Sequence, residues 1–230
     1  MPTIVPLTPE AEWLPAFVHL ADWDLPFVPT LVLAPHPDDE TLGAGGLIAK
    51  LRRARVPVTI VAITDGENAY AGTHGLGPIR MQEQTEAVQR LGVPECMIHR
   101  LHLPDRDVSD YEEQLVELLI PLVTTDMHLV APWKQDFHPD HEAAGRAAAR
   151  VAQSKNLPVT SYLFWTWHRG NPGMLDGLPV TKLPLSEAEL KSKTHALQAY
   201  VSQFERGDGQ PILSPELLLP AQRSFEVYIR

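Results

Sequence analysis

Two short motifs of histidine and aspartate offer the groups that bind a divalent cation. The first spans residues 36–40 (HPDDE), directly after the apolar run 30–34, and the second spans residues 138–141 (HPDH). Imidazole nitrogens and carboxylate oxygens are ligands of catalytic zinc, and a carboxylate outside the coordination sphere can move a proton. Together the motifs predict a metal-dependent hydrolase that activates water.

The roles of these residues follow from the number of ligands that an open metal site takes. A catalytic zinc ion binds three protein groups and keeps one position for water. His36 and Asp39 can come from one loop, and His141 can come from the first turn of a later helix. Asp38 is then left as the general base for the water, while His138 is left to stabilise the oxyanion or protonate the leaving group.

The surroundings of the site and the identity of the metal are less constrained. Either Asp140 or Asp136 could orient an imidazole from outside the coordination sphere. We expect Zn²⁺, although two histidines and one aspartate would also accept Fe²⁺, Co²⁺ or Mn²⁺. In a plainer interpretation, residues 36–40 form a turn whose aspartate caps the next helix, and the protein is a non-catalytic α/β binding module. Because both motifs come just past apolar runs, we favour the metal site.

Apolar runs alternate with amphipathic segments along the chain from residue 30. Strands are predicted at residues 30–34, 58–64, 97–101, 128–131 and 159–165, and helices at residues 42–55, 79–91, 111–123, 139–152 and 186–204. This alternation predicts a three-layer, Rossmann-like α/β domain with a mostly parallel sheet and helices on both faces. In such sheets, ligands bind beyond the carboxyl ends of the strands, which is where both motifs fall. No element is predicted for the apolar residues 217–219 and 225–229.

Length and charge limit the classes of protein to which the chain can belong. Its 230 residues and 44% apolar content suit one α/β domain, so we interpret residues 1–230 as a single domain. Prolines and aromatic residues alternate in residues 1–28, which indicates an extension packed on the core rather than a flexible linker. The net charge of −10 disfavours binding to nucleic acid or to an anionic membrane.

Other sequence features bear on compartment, burial and assembly. No apolar stretch approaches the ~20 residues that a membrane span requires. The N-terminus lacks the basic start and apolar core of a secretory signal, so we expect a cytoplasmic protein. The single cysteine, Cys96, lies in an apolar run and is expected to be buried and inert. Core packing is also favoured for Trp165. The oligomeric state stays open, with a homo-oligomer as one alternative.

The two motifs also carry a resemblance to a known family. Residues 34–40 (APHPDDE) and 138–141 (HPDH) resemble the metal-binding motifs of the PIG-L/LmbE family of zinc-dependent N-acetylglucosaminyl deacetylases. The resemblance extends over about residues 29–205. Softer matches lie at residues 64–67, 80–83, 103–105 and 193–203. One departure is Arg106, which stands where members of the family often have glycine.

The resemblance implies an activity and a class of substrate. It assigns zinc to the three ligands named above, the role of general base to Asp38, and the role of general acid or oxyanion stabiliser to His138. It adds Arg80 as a substrate contact. The implied reaction is hydrolysis of the N-acetyl amide of an N-acetylglucosamine-type amino sugar or glycoconjugate, a small molecule. A metal-dependent amidase that acts on a non-sugar or thiol-conjugate substrate stays an alternative.

Overall fold

A seven-stranded sheet lies at the centre of the computed structural model, which describes residues 5–70, 74–204 and 211–230. The strands are β1 (Thr30–Ala34), β2 (Val58–Ala62), β3 (Ile98–Arg100), β4 (His128–Pro132), β5 (Val159–Tyr162), β6 (Val180–Pro184) and β7 (Phe225–Ile229). Their order is β3-β2-β1-β4-β5-β7-β6. The five strands from β3 to β5 pair in parallel, whereas β7 is antiparallel to both β5 and β6.

Helices cover both faces of this sheet. They are α1 (Glu10–Trp13), α2 (Asp39–Arg53), α3 (Leu76–Arg90), α4 (Glu112–Leu119), α5 (Pro139–Lys155), α6 (Trp165–Arg169), α7 (Glu187–Leu197), α8 (Val201–Phe204) and α9 (Pro215–Leu218). Successive side chains of β1 enter opposite cores: Val32 packs with α2, α3 and α7, and Leu33 packs with α4 and α5. The predicted three-layer α/β fold with a mostly parallel sheet is therefore confirmed.

Individual elements differ from the predictions mainly towards the C-terminus. The predicted strand 159–165 ends at Tyr162, and its last residue begins α6 instead. The predicted helix 186–204 is two helices, α7 and α8. Ser186 caps α7 as expected, in a reciprocal capping box with Glu189. Residues 225–229 form β7, which pairs with the unpredicted strand β6 because the two complete each other's hydrogen bonding at the sheet edge.

The described part of the N-terminal extension packs on the rest of the protein through its aromatic rings. The indole nitrogen of Trp13 donates to the carbonyl of Trp167 at 3.0 Å, and the Trp13 and Phe17 rings both meet Trp167 edge-on. The interpretation of residues 1–230 as a single domain stays a prediction. Cys96 is exposed, so its predicted burial is wrong; it lies in a short 3₁₀ turn that precedes the edge strand β3. Within the described residues, no helix is both long and apolar enough to cross a membrane.

The parallel strands deliver the polar loops to one edge of the sheet. The loop after β1 is tied to the continuation of β2, because Ile63 donates its backbone N–H to Ala34 and Thr64 to Pro35. Leu103, beyond β3, donates in turn to Ile63. The carboxyl ends of β1, β2, β3 and β4 therefore bring residues 36–40, 64–67, 103–106 and 133–141 together, as expected for a parallel sheet.

Candidate metal centre

Three side chains predicted as metal ligands come together beyond the carboxyl ends of the strands. His36 lies in the loop after β1, Asp39 is the first residue of α2, and His141 lies in the first turn of α5. One ligand atom from each of the three lies within 4.8 Å of those of the others. The ring centroids of the two histidines are 5.4 Å apart. This convergence agrees with the sequence interpretation, while the binding of an ion by these residues stays a prediction.

The chemistry of the donor set fits a cation. His141 Nε2 is buried and makes no hydrogen bond with any described residue, although it lies only 3.1 Å from Asp39 Oδ2. The two atoms thus face a common point rather than each other. Asp39 Oδ2 also lies 3.0 Å from His36 Nδ1. A buried imidazole nitrogen without a partner is costly, and a shared metal ion would satisfy all three atoms.

Each of these imidazoles has a buried carboxylate on its other nitrogen. His141 Nδ1 donates to Asp136 at 2.9 Å, and His36 Nε2 contacts Asp140 at 3.0 Å. Both aspartates that the sequence offered as alternatives therefore contact an imidazole, one for each ring. A carboxylate in this position fixes the tautomer and the orientation of a metal-binding histidine.

A second group of potential ligands, formed by His36, His138 and Asp140, is a weaker candidate. Asp140 already accepts the backbone N–H groups of Arg106 and Val108 as well as the contact from His36. His138 Nδ1 accepts from the backbone of Asp140 as the N-cap of α5. These atoms already use their hydrogen-bonding capacity within the protein. A metal ion would therefore satisfy fewer unpaired atoms here than in the first group.

Asp38 is held next to the candidate ligands in an unusual backbone conformation. Its φ of 144° is one that residues other than glycine rarely adopt, and such strain is often found at functional sites. It occupies the N-cap position of α2, but its side chain makes no capping hydrogen bond. The plainer interpretation of this motif as a helix cap therefore fails for Asp38. Its carboxylate instead lies 3.1 Å from Arg80.

Burial and neighbouring charges shift the pKa values in this cluster. Burial raises the pKa of Asp38 to about 7, although the charge of Arg80 opposes the shift. Burial alone would raise the pKa of Asp39, but the nearby His141 and His36 hold it well below the usual range. Burial would lower the pKa of His141, yet the charge of Asp39 and the hydrogen bond to Asp136 raise it to about 9. The pKa of Asp38 therefore lies near neutral pH, whereas the pKa values of Asp39 and His141 are shifted so that both groups stay charged there.

His138 lies beside the two ligand histidines and against an aromatic ring. Its imidazole stacks on Trp165, with centroids 5.7 Å apart and an interplanar angle of 18°. Burial, followed by repulsion from His36 and His141, lowers its pKa to about 3. Because its Nδ1 accepts the capping hydrogen bond, a neutral ring carries its proton on Nε2.

A cavity of about 370 Å³ opens onto these groups. The polar part of its wall includes His36, Asp38, Asp39 and His138, and Trp165 belongs to the apolar part. The ring of Trp165 is buried, as the predicted core packing requires. It also lines the cavity, which core packing alone does not describe. Further lining residues that the sequence did not single out as site residues are Asp105, Phe164, Gln203, Ile212 and Leu213.

Arg80 also lines the cavity, almost fully buried. One of its terminal nitrogens donates to the carbonyl of Pro37 at 2.8 Å and to Asp38, and the other donates to Gly66 at 3.2 Å. Its Nε is buried without a hydrogen-bond partner. Gly66, at a φ of 64°, leaves room for the guanidinium, since a Cβ there would lie 2.3 Å from Arg80. The predicted contact of Arg80 with substrate stays a prediction.

The sequence also shows similarity to known proteins. Residues 31–152 match the family described as PIG-L: GlcNAc-PI de-N-acetylase. A Bacillus cereus protein named "Probable N-acetyl-alpha-D-glucosaminyl L-malate deacetylase 2" is 33% identical over 192 residues, which cover 76% of this chain and 83% of that protein. Diacetylchitobiose deacetylase from Thermococcus kodakarensis is 29% identical over 136 residues, which cover 56% of this chain and 50% of that protein.

The fold agrees with these matches. The crystal structure of N,N'-diacetylchitobiose deacetylase from Pyrococcus horikoshii superposes with a TM-score of 0.59. That comparison covers 77% of this chain and 71% of the other, at 23% sequence identity. At this identity the similarity establishes a shared fold, and the chemistry has to be argued from the site itself.

Proposed function

The chain belongs to the PIG-L family of de-N-acetylases, and from this premise we propose that it hydrolyses the N-acetyl amide of an N-acetylglucosamine-type sugar or conjugate. The products are acetate and a free amine. The observation that carries the proposal is the convergence of His36, Asp39 and His141 beside a cavity whose wall includes the first two and a separate carboxylate, Asp38. We propose Zn²⁺ as the resident ion, held by the first three residues.

When bound, the ion would lower the pKa of a water and polarise the acetyl carbonyl. Asp38 accepts a proton from the attacking water while the new C–O bond forms at the carbonyl carbon. The carboxyl group then returns this proton to the amide nitrogen as the C–N bond breaks. Asp38 suits both steps because its side chain is free of helix capping and faces the cavity.

His138 stabilises the negative charge that develops on the carbonyl oxygen. Its Nδ1 is occupied by the backbone N–H of Asp140, so the proton on Nε2 is available for donation. A neutral imidazole that donates a hydrogen bond to this oxygen lowers the barrier to attack on the carbonyl, and the ring need not be protonated first. Trp165, stacked on the same ring, holds the plane of the imidazole in place.

Arg80 has two roles in this proposal. Its hydrogen bond orients the Asp38 carboxylate, and we assign its guanidinium, which lines the cavity, as a donor to a sugar hydroxyl. Two further arginines, Arg106 and Arg169, line the cavity, and neither forms an ion pair with a described residue. In a chain with a net charge of −10, unpaired guanidiniums in the cavity wall favour an anionic aglycone. The malate conjugate named for the Bacillus cereus relative has that chemistry.

A substrate panel tests the proposed reaction. Zinc-loaded protein is assayed for acetate and amine release from N-acetylglucosaminyl malate, diacetylchitobiose, methyl N-acetylglucosaminide, N-acetyl amino acids and a thiol-conjugate amide. We expect turnover of the sugar amides only, with Asp38→Ala as the inactive control. Turnover of N-acetyl amino acids or the thiol conjugate with no turnover of any sugar would contradict the proposal and support the alternative amidase.

The aglycone preference is tested separately with Arg169→Gln. Arg169 is exposed, donates to the carbonyl of Phe137 and lies over the Trp165 ring, so the change should leave the fold intact. We expect kcat/KM for the malate conjugate to fall about tenfold, the value of one charge-assisted hydrogen bond, with little change for the neutral methyl glycoside. An equal loss for both substrates would refute the preference and leave the deacetylase activity standing.

A further inference from the structure

Helix α2, which begins with the candidate ligand Asp39, is broken after its first turn. Ala44 has φ −139° and ψ 15°, outside the helical region. In an unbroken α-helix, the Gly46 N–H would donate to the carbonyl oxygen of Leu42, four residues earlier. The break therefore changes the direction of the turn that carries Asp38 and Asp39 relative to the remainder of the helix.

A buried ion pair from the C-terminal part of the chain occupies this break. Glu226 of β7 accepts the Gly46 N–H at 2.7 Å on one carboxylate oxygen, and Lys193 of α7 donates to the Leu42 oxygen at 2.9 Å. The Lys193 ammonium and the Glu226 carboxylate are themselves 2.7 Å apart. The two side chains thus connect the same carbonyl and N–H that a regular helix would join directly.

This pair is fixed on all sides. Lys193 and Glu226 are 1% and 5% exposed, and the second oxygen of Glu226 accepts from the Leu47 N–H and the Tyr228 hydroxyl. Burying two charges carries a large desolvation cost, which their mutual attraction offsets only in part. The ion pair is therefore expected to contribute little net stability. Its position in the break indicates a role in the geometry of α2 instead.

The glycines of α2 make the approach of the pair possible. A Cβ on Gly45 would lie 3.0 Å from the Lys193 side chain, and one on Gly46 would lie 3.0 Å from the Glu226 carboxylate carbon. Glycine also weakens a helix, by roughly 1 kcal/mol per residue relative to alanine. Residues 43–46 (GAGG) therefore both permit the break and admit the side chains that occupy it.

We propose that Lys193 and Glu226 are positioning residues, which set the direction of the first turn of α2 and thereby aim Asp39 at His141 and place Asp38 in the wall of the cavity. Neither residue lines the cavity that holds the candidate ligands, so they act through the backbone of α2. Both lie beyond residue 152, where the family match ends. The C-terminal elements α7 and β7 thus take part in forming the metal centre. The kinetic part of this inference rests on the proposed function, whereas the metal-binding part does not.

The test replaces both charges together, with Lys193→Met and Glu226→Leu in one chain. No unpaired charge is left, and α2 can close its regular hydrogen bonds from the Gly46 and Leu47 N–H groups, so the metal-free protein should fold and lose only the stability that the Tyr228 hydroxyl gains from Glu226. Metal affinity, measured by competition with a chromophoric chelator, should fall by about tenfold or more. The visible spectrum of the Co²⁺-loaded protein should change. In the deacetylase assay, kcat should fall by about 10–100-fold with KM changed less than about twofold.

The control is Glu10→Gln, which breaks another ion pair, the one with Arg223, outside α2. It should lower stability while the metal affinity and the Co²⁺ spectrum stay parental. Tyr228→Phe serves if the double variant does not fold, because it removes only one hydrogen bond to Glu226 and should weaken metal binding about threefold. The inference would be overturned if the folded double variant, or Tyr228→Phe in its place, kept the parental metal affinity and Co²⁺ spectrum. It would also be overturned if Glu10→Gln lost as much metal affinity as these variants. Failure of the sugar assay alone would instead count against the proposed function.

Discussion

Replacement of Asp136 by asparagine should disable the metal centre from outside the set of ligands. The carboxylate is fully buried, and one oxygen accepts from His141 Nδ1 at 2.9 Å. The other oxygen accepts from the backbone and the hydroxyl of Thr166 at 2.9 and 2.6 Å. Asparagine keeps the shape of the side chain but replaces one acceptor oxygen with an NH₂ donor.

The position of this NH₂ group decides the outcome. If the amide oxygen stays with Thr166, which offers two hydrogen bonds, the NH₂ group faces His141 Nδ1. The imidazole must then accept on Nδ1 and carry its proton on Nε2, the atom that faces Asp39 and the proposed cation. For Nε2 to bind a metal ion, the proton would have to move to Nδ1 and point at the NH₂ group instead of at a carboxylate, so we expect binding about 100-fold weaker, or about 2.7 kcal/mol. The lost N–H contact with Trp165 should also lower stability by about 1–3 kcal/mol.

Competition with a chromophoric chelator at several pH values measures this effect. The asparagine variant should show weaker Zn²⁺ binding at every pH tested. Asp126→Asn is the matched control, because Asp126 is exposed and bonds only the nearby Thr124 hydroxyl. Zinc affinity within about threefold of the parent, in a folded Asp136→Asn protein, would refute the role assigned to this carboxylate.

Other predictions concern the general base, a buried histidine and the cysteine. Asp38→Ala should lower kcat by about 10²–10⁴-fold with full metal content, and parental turnover would contradict its role. Burial lowers the pKa of His128 to about 4, so the folded state resists a proton that the unfolded chain binds near pH 6.5. His128 alone should therefore lower the free energy of unfolding by about 2–3 kcal/mol between pH 7 and pH 4.5, and this part of the drop should be absent in His128→Gln, as denaturant titration can measure. Exposed Cys96 should react with a thiol reagent in the native protein; protection until unfolding would contradict its exposure.

The convergence of His36, Asp39 and His141 could be predicted from sequence because these residues lie at places that the topology fixes. His36 follows a strand that reads as buried, and His141 follows a proline that begins a helix. In a parallel sheet, the ends of such strands meet at one edge, so residues a hundred positions apart can be expected to converge. The carboxylates beside the imidazoles were foreseen only as alternatives, since sequence does not give side-chain directions.

The features that sequence could not supply depend on long-range packing. The break in α2 at Ala44 exists because Lys193 and Glu226 enter it from elements far along the chain. Strand β5 ends earlier than predicted because the Phe164 and Trp165 N–H groups donate to Asp136 instead of to a neighbouring strand. Residues 43–46 are rich in glycine, but the sequence does not show which side chains pack against them.

The most direct measurement of the central claim is the visible spectrum and metal content of the Co²⁺-loaded protein and two variants. The parent should bind one ion per chain, Asp38→Ala should keep the parental spectrum, and His141→Ala should lose both the ion and the spectrum. The arrangement of His36, Asp39 and His141 around a common point requires this pattern. Stoichiometric metal in His141→Ala, or a spectrum that changes in Asp38→Ala, would contradict the account.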